Sequence, residues 1–230
     1  MRIEPELSHV SIVLVGKLNP AIFTPAWFAL HELLPESVAD AAQLQVAHQQ
    51  VTEFSFDWLR LQVTPERFSA ETSLAPHIRL RDFVVRVFKD HLHHTPITAF
   101  GINWQVHFRV GSSAERDRIG RTLAPVEPWG AWANQIGLDG EHGGMTSLTM
   151  MQGDPEGRPK GDSINITVEP SNLIGEGRLG VYVRVNDHYS IESSSSGTTR
   201  HLMELLEKNF ETSITRSDGI IDHIMSLAKE

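Results

Sequence analysis

Apolar and polar residues alternate strictly along residues 102–110, and this alternation constrains the possible folds more than any other feature of the sequence. The apolar positions are Ile102, Trp104, Val106, Phe108 and Val110. Because successive side chains of a strand point to opposite faces, the pattern predicts a strand with one buried and one solvated face. Antiparallel sheets commonly have this property, whereas parallel sheets are buried on both faces. We therefore expect an antiparallel sheet with its helices on one side.

The first half of the chain has the element order of a ferredoxin-like module. Apolar patterns predict strands at residues 9–16, 52–64, 68–72 and 97–110, and helices at 25–34 and 78–92. A further helical stretch is expected over residues 36–47. Within residues 52–64 the apolar phase changes at Leu59, which is typical of a β-bulge. The order βαββαβ resembles the ferredoxin-like fold, in which helices cover one face of an antiparallel sheet.

The second half predicts another α/β unit. Its patterns indicate a helix at 113–123, strands at 145–152, 163–169 and 180–190, and a long amphipathic helix at 199–229. The Ser-Asp-Gly sequence at 217–219 predicts a bend in that last helix. We therefore assign the α+β class, with a ferredoxin-like half at 1–111 and a second α/β half at 112–230. We expect the halves to pack as one compact unit, ending in the long C-terminal helix.

Composition restricts the cellular compartment and the kinds of partner that we expect. The chain of 230 residues has no cysteine, which excludes disulfides and cysteine nucleophiles and favours a reducing compartment. The N-terminus does not resemble a secretory signal, and no apolar run is long enough to span a bilayer. We therefore expect a cytoplasmic protein that does not bind membranes. The net charge of −9 disfavours nucleic acid as a partner, because phosphate binding usually needs a basic face.

Four histidines fall within residues 91–108 and raise the question of a metal site. His91, His93 and His94 lie near the predicted end of a helix, where histidines favour the negative end of the dipole. Their spacing is not that of a zincin, and zinc needs further ligands. We expect structural roles for these three residues, and we expect no metal and no cofactor.

Three predicted strands carry polar residues at alternate positions. If these strands are neighbours, their polar residues form one surface that can bind a polar or anionic ligand, or supply an acid and a base. A solvated sheet face without any such role is the alternative, and it stays open at this point. The candidate ligand-binding residues are Asn103, Gln105, His107, Arg109, Glu169, Tyr182, Arg184, Asn186 and His188.

Two tryptophans, Trp129 and Trp132, lie in an irregular stretch at 127–144. Tryptophans in loops either fill the edge of a core or anchor a partner. The packing role is the more common expectation, and partner binding is the alternative for both residues.

The sequence contains none of the short motifs that identify common enzyme classes, such as GxSxG, HExxH or the Walker sequence. The leading hypothesis is a non-catalytic cytoplasmic module that binds another protein or forms a homo-oligomer, and no catalytic residue is assigned. Binding or processing of RNA or another anionic ligand on the polar sheet face is one alternative. A small-molecule enzyme that uses His107 and His188 is another.

Overall fold

The computed structural model describes residues 3–136, 144–174, 179–190 and 198–229. Within these ranges nine strands form a single antiparallel sheet: β1 (Leu7–Gly16), β2 (Gln43–His48), β3 (Val51–Phe56), β4 (Leu59–Val63), β5 (Arg67–Thr72), β6 (Ile97–Arg109), β7 (Leu148–Gly153), β8 (Ser163–Pro170) and β9 (Gly180–Ser190). The strand order is β2-β3-β4-β5-β1-β6-β9-β8-β7. The predicted α+β class with an antiparallel sheet is confirmed.

Helices occur between the strands and after them. The α-helices of the described ranges are α1 (Pro25–Leu30), α2 (Glu36–Asp40), α3 (Ile78–Arg86), α4 (Ser113–Leu123) and α5 (Thr199–Ser226). Short 3₁₀ segments occupy Pro20–Ile22 and Glu127–Gln135, and a π-helical turn at Val87–His91 continues α3. Among the described residues, none of the helices is long and apolar enough to cross a bilayer.

Strand β6 joins the two parts of the chain in one sheet. It pairs with β1 on one side and with β9 on the other, in both cases antiparallel. Val10 lies opposite Trp104, and Trp104 lies opposite Val185. Because directly opposed residues of paired strands share a face, these apolar side chains form one continuous buried layer.

Helices α3 and α5 pack on this apolar layer and against each other. Phe28 of α1 extends the layer by packing against Phe54 and Phe83, with ring centroids 5.8 and 5.4 Å away. Thr24 begins α1 as its N-cap, because its hydroxyl accepts a hydrogen bond from the backbone N–H of Trp27 at 3.2 Å. The fold therefore has two layers, with the apolar face of the sheet turned toward the helices.

Two predictions for residues 36–64 are wrong. The phase change at Leu59 is not a β-bulge but a chain reversal: β3 ends at Phe56, β4 begins at Leu59, and those two residues lie opposite each other. A two-residue turn at residues 57–58 resets the apolar phase just as a bulge does. Of the expected helical stretch at 36–47, only Glu36–Asp40 is helical, and Gln43–His48 forms edge strand β2.

The predicted bend in the last helix is also wrong. Helix α5 runs without interruption over 28 residues, Thr199–Ser226. Within the expected break, the hydroxyl of Ser217 donates a hydrogen bond to the carbonyl of Ser213 at 2.8 Å, which satisfies the side chain inside the helix. Packing of the apolar side of α5 against β6 and α3 outweighs the low helix propensity of Gly219.

One buried carboxylate ties the sheet to its covering segments. Asp187 of β9 points to the apolar face and is 1% exposed. Its two oxygens accept hydrogen bonds from Arg158 at 2.6 and 3.1 Å, and Arg216 of α5 donates another at 2.8 Å. The Arg158 guanidinium also lies over the Tyr189 ring, 4.3 Å from its centroid. Asp187 thus holds the β7–β8 connection and α5 on the same strand.

Removing this charge should destabilise the fold. Asp187→Asn removes the carboxylate that two arginines share near the core, so we expect the free energy of unfolding to fall by about 3 kcal/mol. Urea denaturation at neutral pH measures this loss. Asp82→Asn is the matched control, because its ion pair with Arg81 leaves Asp82 largely exposed and should change stability by less than about 1 kcal/mol. Equal losses for the two variants would contradict the role of Asp187.

Candidate functional site

The three strands that carry the predicted polar residues are neighbours in the sheet, in the order β6-β9-β8. Gln105 lies opposite Arg184, and Arg184 lies opposite Thr167. Because opposed residues share a face, the predicted residues of these strands line one side of the sheet, which we call the polar face. It comprises Asn103, Gln105, His107, Arg109, Tyr182, Arg184, Asn186, His188, Asn165, Thr167 and Glu169.

The polar face continues beyond the predicted residues onto the other half of the sheet. Ser11 of β1 lies opposite Asn103 of β6 and opposite Glu71 of β5. Glu71 in turn lies opposite Arg60 of β4. The polar side of the sheet therefore extends across both parts of the chain, while the helices pack on the other side.

His107 is buried, with 5% of its surface exposed. Its Nδ1 lies 2.8 Å from the hydroxyl of Ser171. That hydroxyl accepts hydrogen bonds from the backbone N–H groups of Leu173 and Ile174, at 3.1 and 3.0 Å. The Ser171 proton is thus left to be donated to Nδ1, which places the ring proton of neutral His107 on Nε2.

The surroundings of His107 favour its neutral form. Burial of the ring, together with the charge of nearby His9, lowers the pKa of His107 below its usual value. The ring also packs on Tyr182, with the centroids 4.6 Å apart. A neutral imidazole fixed by Ser171 and Tyr182 forms a rigid part of the polar face.

Most of the other predicted residues bond to one another across the strands. The Tyr182 hydroxyl donates to Oε1 of Gln105 at 2.9 Å, and burial raises the pKa of that phenol. The side-chain amide of Asn186 donates to Oδ1 of Asn103 at 2.8 Å. Arg184 is exposed and lies 3.5 Å from the Thr167 hydroxyl. The face thus presents a row of paired amides and hydroxyls with an arginine at its surface.

Two further predicted residues bond to groups outside this row. Arg109 is paired with Glu6, with Nε and a carboxylate oxygen 2.9 Å apart. Glu169 accepts a hydrogen bond from the Ser147 hydroxyl at 2.9 Å. The ion pair with Glu6 partly neutralises Arg109, whereas the Ser147 hydroxyl satisfies one oxygen of Glu169 without removing its charge.

His107 and His188 are not brought together. His188 lies opposite Gly101, and His107 lies on the same strand as Gly101, six positions further along. At about 3.4 Å per residue this separation is roughly 20 Å. The two histidines are too far apart to act as acid and base on one small substrate.

Sequence reasoning missed a groove on the same polar side. It has a volume of about 460 Å³, and His9, Ser55, Trp58, Arg60 and Glu71 are among its lining residues. Arg60 bonds to Glu53 at 2.7 Å and lies 3.7 Å from Glu71. The alternation of Leu59, Leu61 and Val63 with polar residues was the available signal. The interpretation of 52–64 as one bulged strand hid it.

The two tryptophans singled out in the sequence are exposed, so the expectation that they fill the edge of the core is wrong. Trp129 is 60% exposed and Trp132 is 53% exposed. Their rings contact each other edge to face, with centroids 5.4 Å apart. The segment bends at Gly130, whose φ of 61° lies in the left-handed region that favours glycine. The bend presents both indoles on the surface.

The three histidines near the end of the predicted helix at 78–92 do not form one cluster. The His91 ring packs near His31 and Trp27, with centroids 4.8 and 6.2 Å away. His93 and His94 are exposed and contact each other. His91 closes the π-helical turn, as its position at the predicted helix end suggested.

Comparisons with protein-family models and with curated proteins identify no relative of this chain. No protein-family model matches the chain. A search of curated proteins finds no significant match either. Any assignment of function therefore depends on the geometry of the chain itself.

The environment of His107 predicts a pH effect on stability. Its pKa in the folded protein is below its usual value of 6.5, so the unfolded chain takes up its proton first as pH falls. The stabilisation is complete above about pH 6.5 and is lost as pH falls through the folded pKa. We expect His107→Gln to lose less unfolding free energy than the native protein between about pH 7.5 and about pH 5.

Urea denaturation at both pH values measures this difference. His48→Gln, at an exposed position of edge strand β2, is the control and should show the native pH dependence. His77, whose pKa burial also lowers, is present in all three proteins and does not affect the comparison. The same pH dependence in His107→Gln and the native protein would contradict the neutral state of His107.

Proposed function

We propose that this protein is a non-catalytic interaction module that associates with a second copy of itself. The observation that carries the proposal is the exposure of large apolar side chains on uncharged segments. Trp129 and Trp132 are 60% and 53% exposed, and Met150 and Met151 of β7 are 62% and 68% exposed. Aromatic residues and methionine are enriched in protein interfaces, where a few such side chains supply most of the binding energy.

The paired indoles supply an anchor of suitable size. Fully burying a large apolar side chain stabilises a complex by roughly 1.5–3 kcal/mol. The contact between Trp129 and Trp132 fixes the orientation of both rings before association, which lowers the entropy lost on binding. These properties support a specific protein contact at residues 127–135.

The lack of charged residues in these exposed segments supports a second copy of the chain as the partner. The chain carries a net charge of −9, so a contact between two copies is least unfavourable where it places no acidic residues opposite each other. Residues 128–136 contain no charged residue, and neither does β7. A contact built on these segments brings no like charges together, which suits a symmetric homo-oligomer.

Removing the aromatic anchor tests the proposal. Native protein should elute with a mass of at least twice 25.7 kDa in size-exclusion chromatography with light scattering. We expect the double variant Trp129→Ser/Trp132→Ser to associate at least about tenfold more weakly, since it loses two interface aromatics. Leu30→Ser is the control, because it also replaces an exposed large apolar side chain, that of Leu30 on α1, by serine. A native protein that stays monomeric at all concentrations would overturn the proposal.

A second candidate function is binding of a polar or anionic ligand on the polar face. Its support is the alignment of the polar residues of β6, β9 and β8, with the exposed Arg184 among them and the groove of about 460 Å³ on the same side. RNA is the less favoured ligand. Recognition of RNA by a sheet usually stacks bases on exposed aromatic rings, and here Tyr182 is already packed on His107.

Other parts of the sequence hypothesis remain proposals. A ferredoxin-like first half is supported by the order β4-β5-β1-β6, in which β1 lies between two antiparallel strands, while β2 and β3 are additional to that pattern. The division at residue 111 and the cytoplasmic location also stay predictions. The absence of cysteine supports that location. The distance between His107 and His188 removes the geometric support for the enzyme alternative.

A further inference from the structure

We infer that edge strand β7 pairs antiparallel with β7 of a second copy, so that the sheet continues from one chain into the other. The inference rests on the proposed function and names the surface and symmetry through which the two copies join. It concerns a different segment from the tryptophan pair, and it can fail while the proposed self-association holds.

The first observation is that only one side of β7 pairs with another strand in the described ranges. In the described ranges β7 is the last strand of the sheet and pairs only with β8. An edge strand presents a row of backbone N–H and C=O groups that another strand can bind. Addition of a strand to such an edge is a recurrent mode of protein recognition.

The second observation is that β7 lacks the features with which proteins usually protect their edges. Its sequence, LTMMQG, contains no charged residue and no proline. Its pairing with β8 runs without a register shift from Leu148 to Gly153. The opposite edge differs, because the pairing of β2 with β3 shifts between Leu44 and Val46. A bulge of this kind discourages further pairing, so the two edges of the sheet are not equivalent.

The third observation is apolar exposure on both sides of the strand. Met150 and Met151 are 62% and 68% exposed, and as successive residues of a strand they point to opposite faces. A neighbouring strand covers side chains on both faces at once, whereas a partner docked on one face covers only one of them. The exposure of both methionines therefore favours a partner at the edge.

Two registers pair the most residues of β7. A two-fold axis perpendicular to the sheet places side chains of the same face opposite each other, so one residue must lie opposite its own copy at the axis. Only Met150 or Met151 at that position lets five of the six residues of β7 pair. With Met150 at the axis, Thr149 lies opposite the partner's Met151. With Met151 at the axis, Met150 lies opposite the partner's Gln152. Neither arrangement opposes like charges, because β7 has none.

This symmetry also determines on which side of the joined sheet the two polar faces lie. A two-fold axis perpendicular to the sheet leaves both polar faces on the same side of the joined sheet. The helices of both copies then lie together on the other side. The dimer therefore presents a polar surface twice as long as that of one chain.

Lysine substitutions in β7 test the inference. Met150→Lys and Met151→Lys each place a charge at the shared edge, and at the self-paired position two lysines oppose each other. We expect both variants to dimerise at least about tenfold more weakly in sedimentation velocity. Leu44→Lys is the matched control, because Leu44 is an exposed apolar residue of the opposite edge strand. This control should keep the native dissociation constant, and circular dichroism should show that all three variants are folded.

A charge-pairing experiment identifies the register. Mixing Met150→Lys with Met150→Glu restores the dimer if Met150 lies at the axis. The same mixture of Met151 variants restores it if Met151 does. Restoration by one of the two mixtures supports the inference, since only the self-paired position opposes the new charges directly.

The outcomes separate this inference from the proposed function. If the native protein is dimeric and the β7 variants remain equally dimeric, the β7 interface is wrong and self-association through another surface stands. If β7 variants weaken the dimer no more than Leu44→Lys does, the inference falls in the same way. If the native protein is monomeric throughout, both the inference and the proposed function are overturned.

Discussion

Strand β6 is the constraint on which the rest of the structure depends. It pairs on one side with β1 and on the other with β9, so it joins the strands of both parts of the chain. Its apolar side faces α5, and its polar side carries Asn103, Gln105 and His107. Because the alternation along β6 is strict, a shift of its register by one residue would bury the polar row and expose the core. The pairing of both neighbours is therefore strongly specified.

The buried carboxylate of Asp187 shows how the segments that cover the apolar side are held. Asp187 lies opposite Ile102 in a layer that is mostly apolar, and an unpaired carboxylate there would be costly. Arg158 and Arg216 neutralise it, one from the β7–β8 connection and the other from α5. The same ion cluster that fixes α5 on the sheet thus also anchors the connection that leads from edge strand β7 to β8.

Much of the sheet was predictable from local alternation, and the errors have a common cause. The patterns at 102–110, 163–169 and 180–190 gave correct strands because each strand has one buried face. Strand β2 was missed because its short alternation at residues 43–46 was interpreted as part of a helix, and as an edge strand it has no buried residue. A two-residue turn at 57–58 and a bulge give the same phase change, so the sequence alone did not separate them.

The candidate site was predictable only in part. Alternation placed the polar residues on one side of each strand, but only the strand order shows that β6, β9 and β8 are neighbours. The arginines that neutralise Asp187 are each 29 positions away along the chain, beyond the reach of any local pattern. The exposure of Trp129 and Trp132 likewise depends on what the rest of the fold leaves uncovered.

Amide hydrogen exchange of β7 at increasing protein concentration tests the central claim most directly. Backbone amides that pair across a dimer interface exchange more slowly as the dimer becomes populated. The account predicts that exchange in Leu148–Gly153 slows with concentration, while exchange in the other edge strand, Gln43–His48, does not change. Exchange in β7 that is the same at every concentration would contradict the account.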